Sequence, residues 1–197
     1  MKDLFTLIMA GGAGTRFWPR SKAARPKQYL NIFGEESLLQ STIRRFSMFT
    51  ETEKICIVSG KDQAKVLEEQ TPMLPKKTLI YEPVGKNTLP CIGLAAMFAE
   101  LENPDGVMVV SPSDHLIEND ELFRDTVLAA VKIAVEQDGI VTIGITPAYP
   151  ATGYGYVKTA EEITGNEMIR QFKVDKFVEK PNEGTARGYI EQGGFYW

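Results

Sequence analysis

Apolar residues in this chain fall in short runs separated by amphipathic stretches. Leu4-Phe-Thr-Leu-Ile-Met9 is an apolar run broken only by Thr6, the pattern of a central strand buried on both faces. Lys54-Ile-Cys-Ile-Val58, closed by Ser59-Gly60, reads as a second strand, Thr78 to Tyr81 as a third, Val107-Met-Val-Val110 as a fourth and Ile140-Val-Thr-Ile143 as a fifth. Helical stretches lie between them: Ser37 to Phe46, residues 62 to 70, and Thr88 to about Leu101, where Asn103-Pro104 stops the pattern. Thr88 is the expected N-cap of that third helix, and Pro90 is tolerated in its first turn, where N–H groups have no helical partner. A fourth helix is expected to be capped by Asp120, with Phe123, Val127, Val131 and Ala134 on one face. The alternation predicts an α/β fold, a mostly parallel sheet flanked by helices. After Tyr149 the pattern changes. Tyr154 to Thr159 and Ile169 to Glu179 alternate like strands with no helix between them, which predicts an antiparallel extension of the sheet.

The chain has 197 residues, 43% of them hydrophobic and 24% charged, the composition of an ordered chain with a sizeable core. One domain over residues 1–197 is expected, with truncation at the apolar ending Gly193-Gly-Phe-Tyr-Trp197. No window offers the ~18 consecutive apolar residues of a membrane span, and Leu4 to Ala10 is too short for a secretory signal. Cys56 and Cys91 sit in apolar stretches and read as buried thiols rather than a disulfide. These features predict a soluble, cytoplasmic protein with no membrane partner. The net charge is −4, yet residues 4–34 carry Arg16, Arg20, Lys22, Arg25 and Lys27 and no acid. A local basic segment on an acidic chain suits a small anionic ligand rather than nucleic acid, which asks for a wholly basic face; a solvated basic surface is the alternative.

The most informative segment is Ala10-Gly-Gly-Ala-Gly-Thr-Arg-Phe-Trp-Pro-Arg20, directly after the first strand. Ligands of open α/β sheets bind outside the carboxyl ends of strands. Glycines there let the backbone approach a ligand and aim N–H groups at an anion. The loop is not a dinucleotide fingerprint, because Phe17 stands where a third glycine belongs, and the chain contains no Walker sequence. Arg16 and Lys27 can neutralise a polyphosphate from two sides, against the alternative of a flexible turn with solvated charges. Asp114, in Ser111-Pro-Ser-Asp-His115 after the fourth strand, is placed to hold Mg²⁺, a hard ion that prefers oxygen ligands; the alternative is an Asp opening a turn. His115, the only histidine, is expected to hydrogen-bond its own loop. Glu82, ahead of Asn87-Thr88, can accept from the N1–H and 2-amino group of guanine, donors that adenine lacks; an ordinary turn is the alternative. Gly153-Tyr-Gly-Tyr156 offers close backbone approach and an aromatic wall for a hexose.

The segment Met9-Ala-Gly-Gly-Ala-Gly-Thr-Arg16, continued by Pro19-Arg20 and Arg25-Pro-Lys-Gln28, resembles the loop of the sugar-nucleotide pyrophosphorylases. Glu82-Pro-Val-Gly-Lys-Asn-Thr88, Ser111-Pro-Ser-Asp-His115, Gly153-Tyr-Gly-Tyr156 and Phe177-Val-Glu-Lys-Pro181 resemble its mannose-1-phosphate guanylyltransferase branch. The resemblance spans nearly the whole chain. It implies a Rossmann-like nucleotidyltransferase fold, Mg²⁺ as cofactor, and GTP and mannose 1-phosphate as substrates giving GDP-mannose and pyrophosphate. The displacement would be in line, with no covalent intermediate, so the protein supplies positioning and charge stabilisation. By the same resemblance Arg16, Lys27 and Asp114 are catalytic, and Asp114 binds the metal. Gly11, Gly12, Gly14, Thr15, Arg16, Lys27, Glu82, Asn87 and Thr88 bind the nucleotide. Gly153, Tyr154, Glu179 and Lys180 bind the sugar phosphate, Glu179 at the hydroxyls and Lys180 at the phosphate; an exposed strand-end salt bridge is the alternative for that pair. The family carries a second Mg-binding aspartate and a small further domain beyond the last residue of this chain. A homo-oligomer is compatible with the sequence. Two rival readings stay open: a related pyrophosphorylase with another nucleoside triphosphate or hexose 1-phosphate, and a nucleotide-binding regulatory subunit without turnover.

Overall fold

Strand β1 (Leu4–Met9) alternates its side chains between two apolar faces, and that alternation organises the larger part of the fold. In the computed structural model, which describes residues 3–12, 17–22, 25–165 and 168–197, β1 pairs in parallel with β2 (Ile55–Gly60) on one side and β4 (Val107–Pro112) on the other. β3 (Leu79–Glu82) adds to β2 in parallel, giving the order β3-β2-β1-β4. Leu7 faces one layer with Val58, Ile80, Cys91 and Ala95. Ile8 faces the other with Tyr29, Leu39, Ile43, Phe46, Ile57 and Leu67. The helices supplying these layers are α1 (Leu38–Phe46), α2 (Ala64–Gln70) and α3 (Thr88–Glu102), while α4 (Asp120–Gln137) covers Leu4 with Val127 and Val131. Each such buried aliphatic side chain contributes about 1.5–3 kcal/mol. The one polar side chain in β1, Thr6, meets the Thr50 hydroxyl at 3.1 Å.

Helix starts differ from the sequence expectation in two places. Asn119, not Asp120, caps α4 by accepting from the Leu122 N–H at 2.9 Å. Asp120 falls inside the first turn because its carboxylate is engaged by Arg44 of α1 at 2.6 Å. Thr88 is likewise the first residue within α3; the cap position belongs to Asn87, whose side chain makes no capping bond.

The chain divides into two compact units, Met1–Gly139 and Ile140–Trp197. In the second, β5 (Tyr156–Gly165) pairs antiparallel with β6 (Arg170–Val178) and β7 (Phe195–Tyr196). The antiparallel part is thus a sheet of its own, ordered β6-β5-β7, rather than added strands on the parallel one. Helix α5 (Glu183–Gln192) buries Ala186 against Tyr156 and Phe195. The expected fifth strand at Ile140–Ile143 is absent: Ile140 is 99% exposed, and backbone pairing starts only at Ile145, which exchanges hydrogen bonds of 3.0 and 2.9 Å with Trp197. An apolar run with no neighbouring strand forms no ladder.

Both cysteines are free; Cys91 is buried and Cys56 half-buried, and burial pushes both thiols up, Cys91 to about 11 with the charge of Glu82 adding. Among the described residues no helix is long and apolar enough to cross a membrane. The start of α1 gives a direct stability test. Ser37 accepts from the Gln40 N–H at 3.2 Å and the Gln40 side chain accepts from the Ser37 N–H at 3.0 Å, a reciprocal capping box. Ser37→Ala should lower unfolding free energy by about 1 kcal/mol in urea titration, whereas an unchanged midpoint would show that the cap contributes nothing.

Candidate functional site

Parallel pairing places the carboxyl ends of β1 to β4 along one edge. Gly11 and Gly12 follow β1, Gly60 ends β2, Glu82 ends β3 and Asp114 lies just past β4. From β1 the sheet grows outward through β2 and β3, and β4 then returns to the other side of β1. The β1/β4 boundary is therefore a topological switch point, the position at which open α/β sheets bind ligands.

Lys27 reaches this boundary from a 3-10 turn, Lys27–Tyr29, entered through extended Pro26. Its Nζ lies 3.1 Å from Asp114 Oδ2 and 3.3 Å from the Asp114 carbonyl, and 4.9 Å from the Phe17 ring centre. Among the described residues it is the only cation of the basic segment with a carboxylate partner. The two side chains are 24% and 40% exposed, so the pair is within reach of solvent and contributes at most about 1 kcal/mol. It is a weak lock between a cation and an anion at the sheet edge. Asp114 belongs to no cluster of three or more potential ligands among the described residues. A single carboxylate oxygen at an exposed loop fits a hard ion held by one or two carboxylates plus phosphate oxygens and water, not a closed protein cage. Behind Asp114, buried Arg45 of α1 donates to the His115 carbonyl at 3.3 Å and to Thr42 at 3.0 Å. It is the backbone of His115, not its ring, that ties the loop down.

Glu82 is 9% exposed, and no group among the described residues donates a hydrogen bond to its carboxylate. A Cβ on Gly11 would lie 3.5 Å from Glu82 Oε2 and 4.0 Å from the Gly60 nitrogen, so the first loop glycine runs beside this carboxylate. Its oxygens are free to accept N–H groups of a ligand. Asn87 holds φ 68° and ψ −166°, a region populated almost only by glycine and costing about 1–3 kcal/mol. Asn87 and Thr88 are both exposed at the start of α3.

Gln28, adjacent to Lys27, is buried; its Nε2 donates to the carbonyls of Ala10 (2.6 Å) and Gly12 (3.0 Å) and meets Gln63 Oε1 at 3.2 Å. The expected loop residues Gly14, Thr15 and Arg16 lie outside the described residues. Arg20, Lys22 and Arg25 are exposed or half-exposed; Lys22 and Arg25 bond to each other through their backbones, and Arg25 Nε donates to the Tyr29 carbonyl.

The sugar-phosphate candidates belong to the second unit. Gly153 and Tyr154 are exposed, and the Tyr154 ring stands edge-on to Trp197 at 5.2 Å, with Tyr149 doing the same at 5.0 Å. Tyr156, fully buried, donates to the Ala151 carbonyl at 2.9 Å. Glu179 and Lys180 pair with each other at 2.5 Å just past β6, both 61% exposed, and Lys180 has φ 33°.

Residues 5–197 match the family model described as Nucleotidyl transferase. The chain belongs to the nucleotidyl transferase family. It is 40% identical, over 98% of its length, to mannose-1-phosphate guanylyltransferase of Escherichia coli K12, and 39% identical over its full length to the xanthan biosynthesis protein XanB of Xanthomonas campestris. The chain spans 41% of the length of each. Among solved structures, mannose-1-phosphate geranyltransferase from Thermus thermophilus superposes with a TM-score of 0.88 at 30% identity, covering all of this chain and 55% of that one.

In this nucleotidyl transferase the sequence reading missed two features of the site. Gln28 carried no role because a glutamine in a Pro-rich loop has no periodic pattern; only the fold brings it beneath Ala10 and Gly12. The strain at Asn87 has no sequence signal either, since asparagine is common where loops enter helices. Asn87→Gly should therefore raise unfolding free energy by about 1 kcal/mol or more as the strain is relieved. A denaturant midpoint that falls instead would mean that Asn87 side-chain contacts outweigh the strain.

Proposed function

We propose that residues 1–197 form the catalytic core of a mannose-1-phosphate guanylyltransferase working in the cytoplasm, which converts GTP and mannose 1-phosphate to GDP-mannose and pyrophosphate. The observation that carries this reading is the 3.1 Å contact between Lys27 and Asp114 at the β1/β4 switch point, next to the glycine loop. Similarity to relatives named for this reaction supports the choice of substrates.

The triphosphate lies along Gly11 and Gly12, and the resemblance adds Gly14, Thr15 and Arg16 as nucleotide-binding residues. Lys27 exchanges Asp114 for phosphate oxygens, so its charge moves to where negative charge develops as the Pα–O bond to pyrophosphate breaks. Asp114, freed of Lys27, is the residue that would hold Mg²⁺ together with phosphate oxygens. When bound, the ion supplies charge neutralisation at the phosphates. A phosphate oxygen of mannose 1-phosphate forms the new bond to Pα in line with the departing pyrophosphate. Glu82 accepts from the guanine N1–H and 2-amino group, while Asn87 and Thr88 close the base pocket at the α3 start. In the second unit, by resemblance, Gly153 and Tyr154 are assigned to mannose, Glu179 to its hydroxyls and Lys180 to its phosphate.

The test is pyrophosphate release across nucleoside triphosphates and hexose 1-phosphates, with this chain and with a C-terminally extended form. GTP with mannose 1-phosphate should be the preferred pair. Lys27→Ala should raise the barrier by about 2.7–4 kcal/mol while costing no more than about 1 kcal/mol of stability, as suits a half-exposed pair; near-normal turnover would overturn the assignment. Asp114→Asn should abolish most of the Mg²⁺ dependence, and an unchanged metal titration would remove it as a ligand. Glu82→Gln places donors against guanine donors and should narrow the preference for GTP over ATP. Equal selectivity in variant and parent would move base reading elsewhere.

A further inference from the structure

We infer that Gln28 is a positioning residue that sets the direction of the Ala10–Gly12 backbone, the start of the glycine loop, from behind. The inference rests on the nucleotide reading of that loop. Hydrogen counting supports it. Ala10 O, Gly12 O and Gln63 Oε1 are three buried or half-buried acceptors gathered around the Gln28 carboxamide. The donors are the two N–H bonds of Gln28 and the Ser59 hydroxyl, which lies 3.4 Å from both Ala10 O and Gln63 Oε1. The Tyr29 hydroxyl, 3.2 Å from Ser59 Oγ, satisfies Ser59 in turn when it donates there. With Gln28 giving one hydrogen to each loop carbonyl and Ser59 giving its own to Gln63, every acceptor has a donor. Among the described residues no hydrogen is spare. Without Gln28, Ser59 alone remains of these donors, with a single hydrogen for three acceptors.

The consequence for the ligand side follows from peptide geometry. In a planar trans peptide the carbonyl and the following N–H point in opposite directions. The Ala10 N–H still donates to the Val58 carbonyl at 2.8 Å, as the last rung of the β1/β2 ladder, but the Ala10 carbonyl is taken by Gln28. Turning that carbonyl inward turns the Gly11 N–H outward. Gly11, with no Cβ, leaves that N–H open to close approach. Gln28 shares its 3-10 turn with Lys27, so one short turn sets both the cation at Asp114 and the direction of a loop donor.

The experiment measures GTP·Mg and pyrophosphate binding by calorimetry on the 197-residue chain, with melting temperature alongside, for the parent, Gln28→Met and Gln28→Glu. Gln28→Met keeps length and loses both donors; it should weaken GTP binding by about 10- to 100-fold, the loss of one N–H to a charged phosphate. Gln28→Glu adds a readout that general destabilisation does not reproduce. A buried carboxyl is readily protonated, and the protonated acid regains one O–H donor. Its affinity relative to the parent should therefore rise as pH is lowered from 8 to 6, while the relative affinity of Gln28→Met stays flat. Parent binding together with unchanged affinity in folded Gln28→Met would overturn the role of Gln28 and leave the nucleotide reading intact. A pH-independent ratio for Gln28→Glu would likewise overturn it. Absence of binding in the parent would overturn the nucleotide reading, and this inference with it.

Discussion

The site depends on β1 having a parallel neighbour on each side. β2 and β4 both register against it residue for residue, Met9 opposite Val58 on one side and Pro112 on the other. That pairing holds only because β1 is apolar on both faces, with Leu7 and Ile8 almost wholly buried in opposite layers. A one-residue slip would exchange the two faces. With the register fixed, the loops after β1, β2, β3 and β4 emerge together, and residues far apart in sequence, such as Lys27 and Asp114, come within 3.1 Å.

The polar groups at this edge are held with different strengths, and the difference has a functional logic. The Gln28 side chain is buried, and its NH2 is engaged by three acceptors. Losing such a buried donor leaves acceptors unsatisfied at a cost of about 1–3 kcal/mol each, which makes it a fixed support. The Lys27–Asp114 pair is half-exposed and contributes little, so its members can exchange partners. The Glu82 side chain has no donor among the described residues, which leaves its oxygens free to accept N–H groups. Rigid support behind and loosely paired charges in front suit phosphoryl chemistry, which asks for positioning and charge rather than covalent participation.

Much of this was legible in the sequence where burial is two-sided. Leu4–Met9 is a strand with the expected ends, and the next three apolar runs fall within a residue or two of β2, β3 and β4. Continuous apolar runs behave this way when a sheet is covered on both faces. Ile140–Ile143 has the same local pattern but no partner strand, and the chain alone carries no sign of that difference. Helix α5 was not read because only Ala186 is buried in it and two glycines interrupt its sequence. β7 is only two residues long and has no pattern to read. Among candidate site residues, Gly11, Gly12, Glu82 and Asp114 were visible as glycines and charges at strand ends, and Lys27 as a cation of the basic segment. Gln28 and the Asn87 backbone were not, because their roles arise from contacts across many residues of chain and from a dihedral angle.

On the proposed reading, Lys27 and Asp114 hold each other only until a nucleotide and its metal take their places. The most direct measurement is a crystal structure of the chain with GTP and Mg²⁺ bound. Lys27 Nζ is expected to leave Asp114 Oδ2, where it lies at 3.1 Å, and to contact phosphate oxygens while the Asp114 carboxylate turns to the ion. A nucleotide seated elsewhere on the chain, with the Lys27–Asp114 contact intact, would contradict it.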